Sequence, residues 1–458
     1  VLTTVSAPGP RRRALILVAC SLSLLISSMD VTIVNVALPE IGRQMHASTT
    51  HLQWVVDIYT LTLASLLVLS GATADRFGRR RVFRIGLTVF AAGSLLCSLA
   101  PTVDVLIAAR GIQAVGGSML TPVALSIVTA VFTDAAERAR AIGVWGAVVG
   151  VSTAVGPLVG GILIDSLGWQ SVFWVNLPIC AVALGLTYAV VPESKAAVPR
   201  SIDPLGQILA IAVMFTAVFG LIEREPLMLA LAAAALACFL AHERRHPSPF
   251  IDLRFFRSIP FSAATLTAVC AFAGFGAFLF TMSLYLQTVR HFSAVQTGLM
   301  FLPMAVCVLL ASPTSGRLVA RYGPRPSLLG AGTLMTGAAV ALTTVDAATP
   351  LIELGIVFAA FGIGFGLVNA PITNSAVSGM PLDRAGAAAA VASTSRQLGI
   401  SLGVALCGLV ARAALWWTVA GFAVVIAALA VFSTGARAER SRARIAPLLE
   451  TKESADVR

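Results

Sequence analysis

The chain has 458 residues, of which 57% are hydrophobic and only 12% charged, against roughly 25% charged in a soluble domain. With a mean hydropathy of +0.90 this excludes a soluble globular protein and makes lipid most of its solvent. A net charge of +11 would point to nucleic acid in a soluble chain, but here the arginines lie between apolar runs, where orientation in a membrane accounts for them.

A helix needs about 20 apolar residues to cross the hydrocarbon core, and the expected fold is an all-α polytopic membrane protein of fourteen such spans. Residues 1–13 are an expected cytoplasmic tail ending in Arg11–Arg12–Arg13. The run 14–38 behind it is too long for a signal peptide and lacks a small-residue cleavage site, so it is expected to be a retained span. Five more follow at 50–70, 83–100, 103–129, 139–164 and 170–191, giving a first six-helix half over 14–191. A linker, 192–260, carries two further spans at 205–222 and 227–241. A second six-helix half, 261–433, holds runs at 261–286, 296–316, 326–345, 350–374, 386–409 and 413–433. Residues 434–458 are an expected disordered, Arg-rich cytoplasmic tail. All seven cysteines lie inside apolar runs with no Cys-x-x-Cys pair, so they are expected to pack rather than to form disulfides or hold metal.

Loop charge alternates along this order. Only Arg43, Arg224, Arg290 and Arg412 fall on one side, Arg110 and Arg396 lie within spans, and every other Lys and Arg falls on the second side or in the tails. The positive-inside rule then places both termini in the cytoplasm of a multi-pass cell (plasma) membrane protein, with an even span count. An internal repeat agrees. In "GATADRFGRRR" (71–81) and "GRLVARYGPRP" (316–326), Gly71, Arg76, Gly78 and Arg80 align with Gly316, Arg321, Gly323 and Arg325. Each segment follows the second span of its half, and two parallel halves are a transporter architecture.

Several residues stand out at one depth. Asp30 lies about eight residues, roughly 12 Å, below the outer end of its span. Asp57 and Arg110 lie seven residues into theirs, and Gly156–Pro157 sits at a similar level in the fifth. An intramembrane acid costs a few kcal/mol or more when ionised and is usually functional; the alternative for Asp30 is a hydrogen bond to Ser27 or Thr32 that holds helices together. Arg110 either modulates a carboxylate or bridges spans. Gly156 and Gly160 share a helix face, with Gly161 beside them, which allows close helix approach, and Pro157 bends the span. Around "DRFGRRR", Gly78 permits a tight turn, and Asp75 caps the next helix or pairs with Arg79 or Arg138. Candidates for a substrate wall are Phe272, Phe275 and Tyr285, with Asn369 and Asn374. Arg396 is expected to snorkel toward the cytoplasmic face. The only lysines, Lys195 and Lys452, do not follow glycine, so no P-loop exists. No nucleophile–His pair or metal cluster appears, and no enzyme, resident metal or cofactor is expected.

At "GATADRFGRRR" the sequence resembles the major facilitator superfamily. "SMDVTIVNVALPEI" (28–41), "LQWVVDIYTLTLA" (52–64), "LIAARGIQAVGG" (106–117), "VGPLVGG" (155–161), "GWQSVFWVNLPI" (168–179) and "STSRQLGISLG" (393–403) are similar to its fourteen-span drug:proton antiporter branch. Ala114 and Ser152 stand where that branch usually has glycine, and the loop around Arg412 is short. The resemblance implies export of apolar or cationic small molecules against protons, with Asp30, Asp57 and Arg110 as the coupling residues and Gly156, Pro157, Gly160 and Gly161 as the antiporter packing motif. It also implies that Gly71, Asp75, Arg76, Gly78, Arg79 and Arg80 form a cytoplasmic latch. The partners expected are a small-molecule substrate, protons and membrane lipid, with no nucleic acid and no required protein partner. A same-fold exporter of one metabolite, lipid or amino acid, and a non-transporting receptor or scaffold, stay open as alternatives.

Overall fold

The computed structural model describes residues 9–196, 203–246, 249–378, 382–435, 438–441 and 444. Of the expected segments, 1–8, 197–202 in the linker and 445–458 lie outside the described residues. All regular structure described is helical. The helices are α1 (Pro10–Met45), α2 (Thr49–Phe77), α3 (Arg79–Ser98), α4 (Val103–Val131), α5 (Ala135–Leu167), α6 (Ser171–Trp174), α7 (Asn176–Val190), α8 (Pro204–Ile222) and α9 (Pro226–Arg245). After a 3-10 turn at Leu253–Arg257 come α10 (Ile259–Leu284), continued by a short π-helix at Tyr285–Val289, α11 (Ala294–Tyr322), α12 (Pro324–Leu342), α13 (Leu351–Val377), α14 (Leu382–Leu409) and α15 (Arg412–Phe432).

Twelve helices among the described residues, with α6–α7 taken as one, are long and apolar enough to cross a membrane, and the chain is a multi-pass membrane protein. The runs expected at 326–345 and 386–409 form α12 and α14, which lie outside that set of twelve. Helices are the form this composition takes because every backbone polar group must find its partner within the segment once water is gone. Most helices outrun their apolar stretch. α1 covers 36 residues, about 54 Å at 1.5 Å per residue, where the apolar run has 25, because polar residues beyond the hydrocarbon keep the helix going.

The starts and stops are local. Ser48 and Ser293 open α2 and α11 with capping boxes closed by His51 and Gln296. Gly78 (φ +113°) and Gly323 (φ +76°) end α2 and α11 and stand directly before α3 and α12. These are the paired glycines of the repeat, and both take a backbone that only glycine enters readily.

Within the first group of helices α1 packs on α4, α5 and α7, and α4 on α2 and α3. In the second, α10 packs on α13, α14 and α15, and α12 on α13 and α15. The groups meet along α5–α11 and α2–α14, and the α8–α9 hairpin leans on α2 and α14. Small residues make the close approaches: a Cβ on Gly116 would collide with the Phe90 backbone and Gly86 O, and one on Gly362 with Met304. The expectation of a disordered tail from 434 is corrected in part. Residues 438–441 form a helical turn with Ala438 buried, and Ser441 Oγ accepts the Ile259 N–H at 3.1 Å, satisfying a donor at the start of α10.

Gly116→Leu is therefore expected to cost about 1–3 kcal/mol by overpacking α3 against α4 and to lower the melting temperature of the detergent-purified protein. Gly143→Leu, where a Cβ meets nothing within 4 Å, is expected to leave it unchanged.

Candidate functional site

Asp30 is fully buried on α1 and Arg110, 1% exposed, on α4. Arg110 Nη1 donates to Asp30 Oδ2 at 2.5 Å. The pair has a polar jacket. Gln113, one turn after Arg110, donates from Nε2 to Asp30 Oδ1 at 2.9 Å and accepts from Arg110 Nη1 at 2.7 Å. Asn176 on α7 reaches Asp30 Oδ1 at 3.4 Å. Ser94 on α3 accepts from both Gln113 (2.8 Å) and Asn176 (3.2 Å). Arg110 Nε donates to Val55 O on α2 at 3.2 Å, and the guanidinium lies 4.1 Å from the Tyr59 ring centroid, a favourable cation–π distance. Five helices thus converge on one ion pair. Ser27 and Thr32, the alternative partners considered for Asp30, instead bond the carbonyls of Leu24 and Met29. Each of the two ions loses several kcal/mol of hydration here, which good geometry and hydrogen bonds from neighbours must offset; the jacket supplies most of these, while Asn176 Oδ1 and Tyr59 OH have no partner among the described residues.

Asp57 is equally buried but lies apart from that cluster. Neither of its carboxylate oxygens has a hydrogen-bond partner among the described residues. Thr60 and Ser401 lie beside it, but Thr60 Oγ1 bonds the carbonyls of Val56 and Asp57, and Ser401 Oγ on α14 is itself buried and unpartnered. Asp57 therefore stands on the α2–α14 seam between the two groups of helices. One turn earlier on α2, Gln53 crosses that seam and donates to Val404 O at 2.6 Å.

The glycine motif of α5 works on two neighbours at once. A Cβ on Gly156 would strike Thr32 of α1, one on Gly160 would stand 2.6 Å from Ile33 of α1, and one on Gly161 would strike Ala294 of α11. Gly298 of α11 answers from the other side, with no room for a Cβ against Pro157 O. Ser152, where the related motif has glycine, bonds its own helix at Val148 O, 2.6 Å away. Asp165, at the end of α5, accepts the N–H groups of Ala294 and Val295 at 3.1 Å each, so a carboxylate caps the start of α11. The hydrogen bonds between the two groups run from Thr394–Ala64 mid-seam to Gln287–Val36 and Asp165–Ala294. They thus gather toward the end bearing the α1–α2 turn.

At the opposite end, Asp75 pairs with Arg79 at 3.0 Å, and among the described residues no ion pair joins it to Arg138. Arg79 also donates to Ser126 O on α4 at 3.4 Å. Glu193, which the sequence did not mark, accepts the N–H groups of Arg80 (3.1 Å) and Arg81 (3.2 Å) and so caps α3. A side chain on Gly78 would collide with that carboxylate. Arg80 bonds Tyr188 O at 2.7 Å; Arg76 lies 5.8 Å from the Phe77 ring; Gly71 faces Pro122 loosely at 3.9 Å.

The substrate-wall candidates divide. Phe275 stacks on Phe365 at 4.2 Å, and Phe272 lies edge-on to Phe365 at 5.0 Å. Tyr285 is buried and its hydroxyl donates to Asp346 O, which ties it to the α12–α13 connection. Asn369 is half-buried and Asn374 exposed. Arg396 is held inside the second group: Nη2 donates to Thr373 Oγ1 at 2.7 Å and the guanidinium lies 5.9 Å from Phe272, so α13 rather than a lipid headgroup receives it. A cavity of about 1140 Å³ lies elsewhere, between the α8–α9 hairpin, α10 and α14. The sequence reading missed Gln113, Asn176 and Ser94. A polar residue three after a buried arginine was a usable signal for Gln113, whereas Ser94 carried none.

The description of the Major Facilitator Superfamily matches residues 20–404. The chain is 38% identical over 415 residues to the Multidrug resistance protein Stp of Mycobacterium tuberculosis (strain CDC 1551 / Oshkosh), covering 88% of this chain and 76% of that one. It is 34% identical over 444 residues to the Methylenomycin A resistance protein of Streptomyces coelicolor, 93% of each chain. It is also 34% identical over 403 residues to the Tetracenomycin C resistance and export protein of Streptomyces glaucescens, 86% of this chain and 74% of that one.

Removing Arg110 alone strands a buried carboxylate, so Arg110→Leu is expected to destabilise the fold by about 3–5 kcal/mol. Asp30→Leu combined with Arg110→Leu is expected to recover a large part of that loss in thermal unfolding. A double variant as unstable as the sum of the single ones would show that the two charges do not act as a pair.

Proposed function

This chain belongs to the major facilitator superfamily, and from that premise we propose that it is a proton-coupled antiporter exporting apolar or cationic small molecules by alternating access. The observation that carries the proposal is the buried Asp30–Arg110 pair with its jacket, together with a second buried acid, Asp57, at the seam between the helix groups. A buried carboxylate here is costlier ionised than neutral, and in this reading Asp57 carries a proton in this form. Asp30, held by Arg110 and two amides, is the ionised partner. Opening to the other side would bring a shift of α1 against α4 inside the first group that parts Asp30 from Arg110, and the freed carboxylate would take a proton there.

In this reading residues 14–191 and 261–433 are the rocking halves, α8 and α9 are two added midchain spans, and α12 and α14 complete a fourteen-span set. The gathering of inter-group hydrogen bonds at the α1–α2 end supports a form closed on the outside, with both termini in the cytoplasm and the protein in the plasma membrane. Among the described residues the latch residues bond within the first group and to the start of the linker at Glu193, Ser194 and Ala196; engagement with the second group belongs to the opposite form. Coupling to protons is energetically sufficient. One proton moving down 100 mV releases about 2.3 kcal/mol and one pH unit adds about 1.4 kcal/mol, which together sustain a gradient of a few hundredfold.

Because two relatives are named for single antibiotics, methylenomycin A and tetracenomycin C, a narrow antibiotic substrate is the second reading. Proteoliposomes with an imposed pH gradient test the proposal, using ethidium and a panel of natural antibiotics. The expected result is gradient-driven transport by the native protein that Asp30→Asn and Asp57→Asn abolish at equal protein content. Undiminished transport by Asp30→Asn would remove that residue from the mechanism.

A further inference from the structure

Folding creates a ligand cluster that the linear sequence hides. Asp203 caps the start of α8 and is 2% exposed at its side chain. His242 and His246 lie one turn apart at the end of α9. His242 Nε2 stands 3.0 and 2.9 Å from the two Asp203 oxygens. His246 Nδ1 stands 3.8 Å from Oδ2, and the two rings are 5.0 Å apart. One ligand atom from each of the three lies within 4.8 Å of the others. Asp203 Oδ1 already accepts the Gly206 N–H at 2.9 Å, which leaves Oδ2 for a ligand.

An ion pair between Asp203 and His242 would account for these three residues, but not for the fourth. Glu243 is 4% exposed. Its Oε2 accepts the Ile251 N–H at 2.9 Å, while its Oε1 is buried with no hydrogen-bond partner among the described residues. That oxygen is aimed at Asp203: a Cβ on Gly206 would stand 2.5 Å from Asp203 Oδ2 and 2.6 Å from Glu243 Oε1. The neighbouring Arg244 and Arg245 are exposed. One carboxylate and two imidazoles therefore converge, with a second buried carboxylate oxygen near Asp203, and their charge is one that a dication would balance.

We propose that Asp203, His242 and His246, supported by the neighbouring Glu243 carboxylate, bind a divalent transition-metal ion of the zinc class where α8 begins and α9 ends. Around a tetrahedral ion with ligand bonds of about 2.0–2.2 Å, donor atoms stand about 3.3 Å apart, between the 2.9 and 3.8 Å seen here. Mixed imidazole and carboxylate ligands suit zinc and its neighbours rather than magnesium or calcium. The ion would lock the hairpin at its open end and, through the Glu243–Ile251 bond, fix the connection into α10. Glu243 and His246 both line the cavity between the hairpin, α10 and α14, so the ion would set one wall of that space.

The test is titration of the full chain, purified in detergent without chelator, with CoCl2 and then ZnCl2. One equivalent of Co2+ with the strong visible absorption of a tetrahedral site, displaced by Zn2+, is expected. His246→Gln and Glu243→Gln should each weaken binding at least about tenfold while eluting as the native protein does. No stoichiometric uptake, or affinity unchanged in both variants, overturns the site. A measurement on the native protein needs no variant. Zn2+ should shield His242 and His246 from diethylpyrocarbonate while His46, His51 and His291 react as before, and equal labelling with and without zinc contradicts the assignment.

Discussion

An arginine and an aspartate, both buried, fix the arrangement of the first group of helices. The Asp30–Arg110 bond of 2.5 Å is tolerable only because most of the pair's remaining hydrogen-bonding capacity is met from neighbouring helices. Gln113 meets it from α4, Ser94 from α3, Asn176 from α7, Val55 O and the Tyr59 ring from α2. A half-satisfied network of buried charges would be worse than an apolar core. The depth of each helix is therefore set by the place where its one polar group reaches the pair, and the apolar residues fill in around that register.

The same constraint makes the site suited to switching. Asp30 is on α1, and α1 packs on α5 through Gly156 and Gly160, while Gly161 of the same motif packs α5 on α11. In the proposed cycle a displacement of α11 against α5 would thus reach the helix that carries the carboxylate. Gly156 and Gly160 receive the Thr32 and Ile33 side chains of α1, and Gly161 and Gly298 bring the backbones of α5 and α11 together. Asp57 sits on the other seam, α2–α14, beside Ser401. Both acids are thereby tied to the surfaces where the two groups of helices would have to slide, one through α5 and one directly.

Much of this was legible in the sequence, for physical reasons that can be named. Apolar runs longer than a bilayer report themselves, and so does an acid inside one: Asp30 and Arg110 stood out because such residues are costly in lipid. The glycine at the turn of each repeat was readable because only glycine takes the backbone found at Gly78 and Gly323. Depth counting placed Asp57 level with Asp30, but depth carries no information about azimuth, and the two acids face different neighbours. Ser94, Asn176 and Glu193 were invisible because a serine, an amide or a loop acid acquires meaning only from what lies across from it. The aromatics of α10 and the π-helix after it read less clearly. Phe275 and Tyr285 suit a ligand wall, yet they pack against Phe365 and the α12–α13 connection, as aromatic residues in a helical core commonly do. Asp203 and His242, 39 residues apart, meet only because the α8–α9 hairpin closes.

The coupling of a proton to the buried acids is the central claim, and proton counting reads it most directly. Purified protein in weakly buffered detergent is mixed with tetraphenylphosphonium, a lipophilic cation, and the pH of the solution is followed. Binding to the native protein is predicted to release protons, and Asp57→Asn, which has no proton to give in the form described, to bind the cation without release. Equal proton release from the native protein and from both Asp30→Asn and Asp57→Asn would contradict the account.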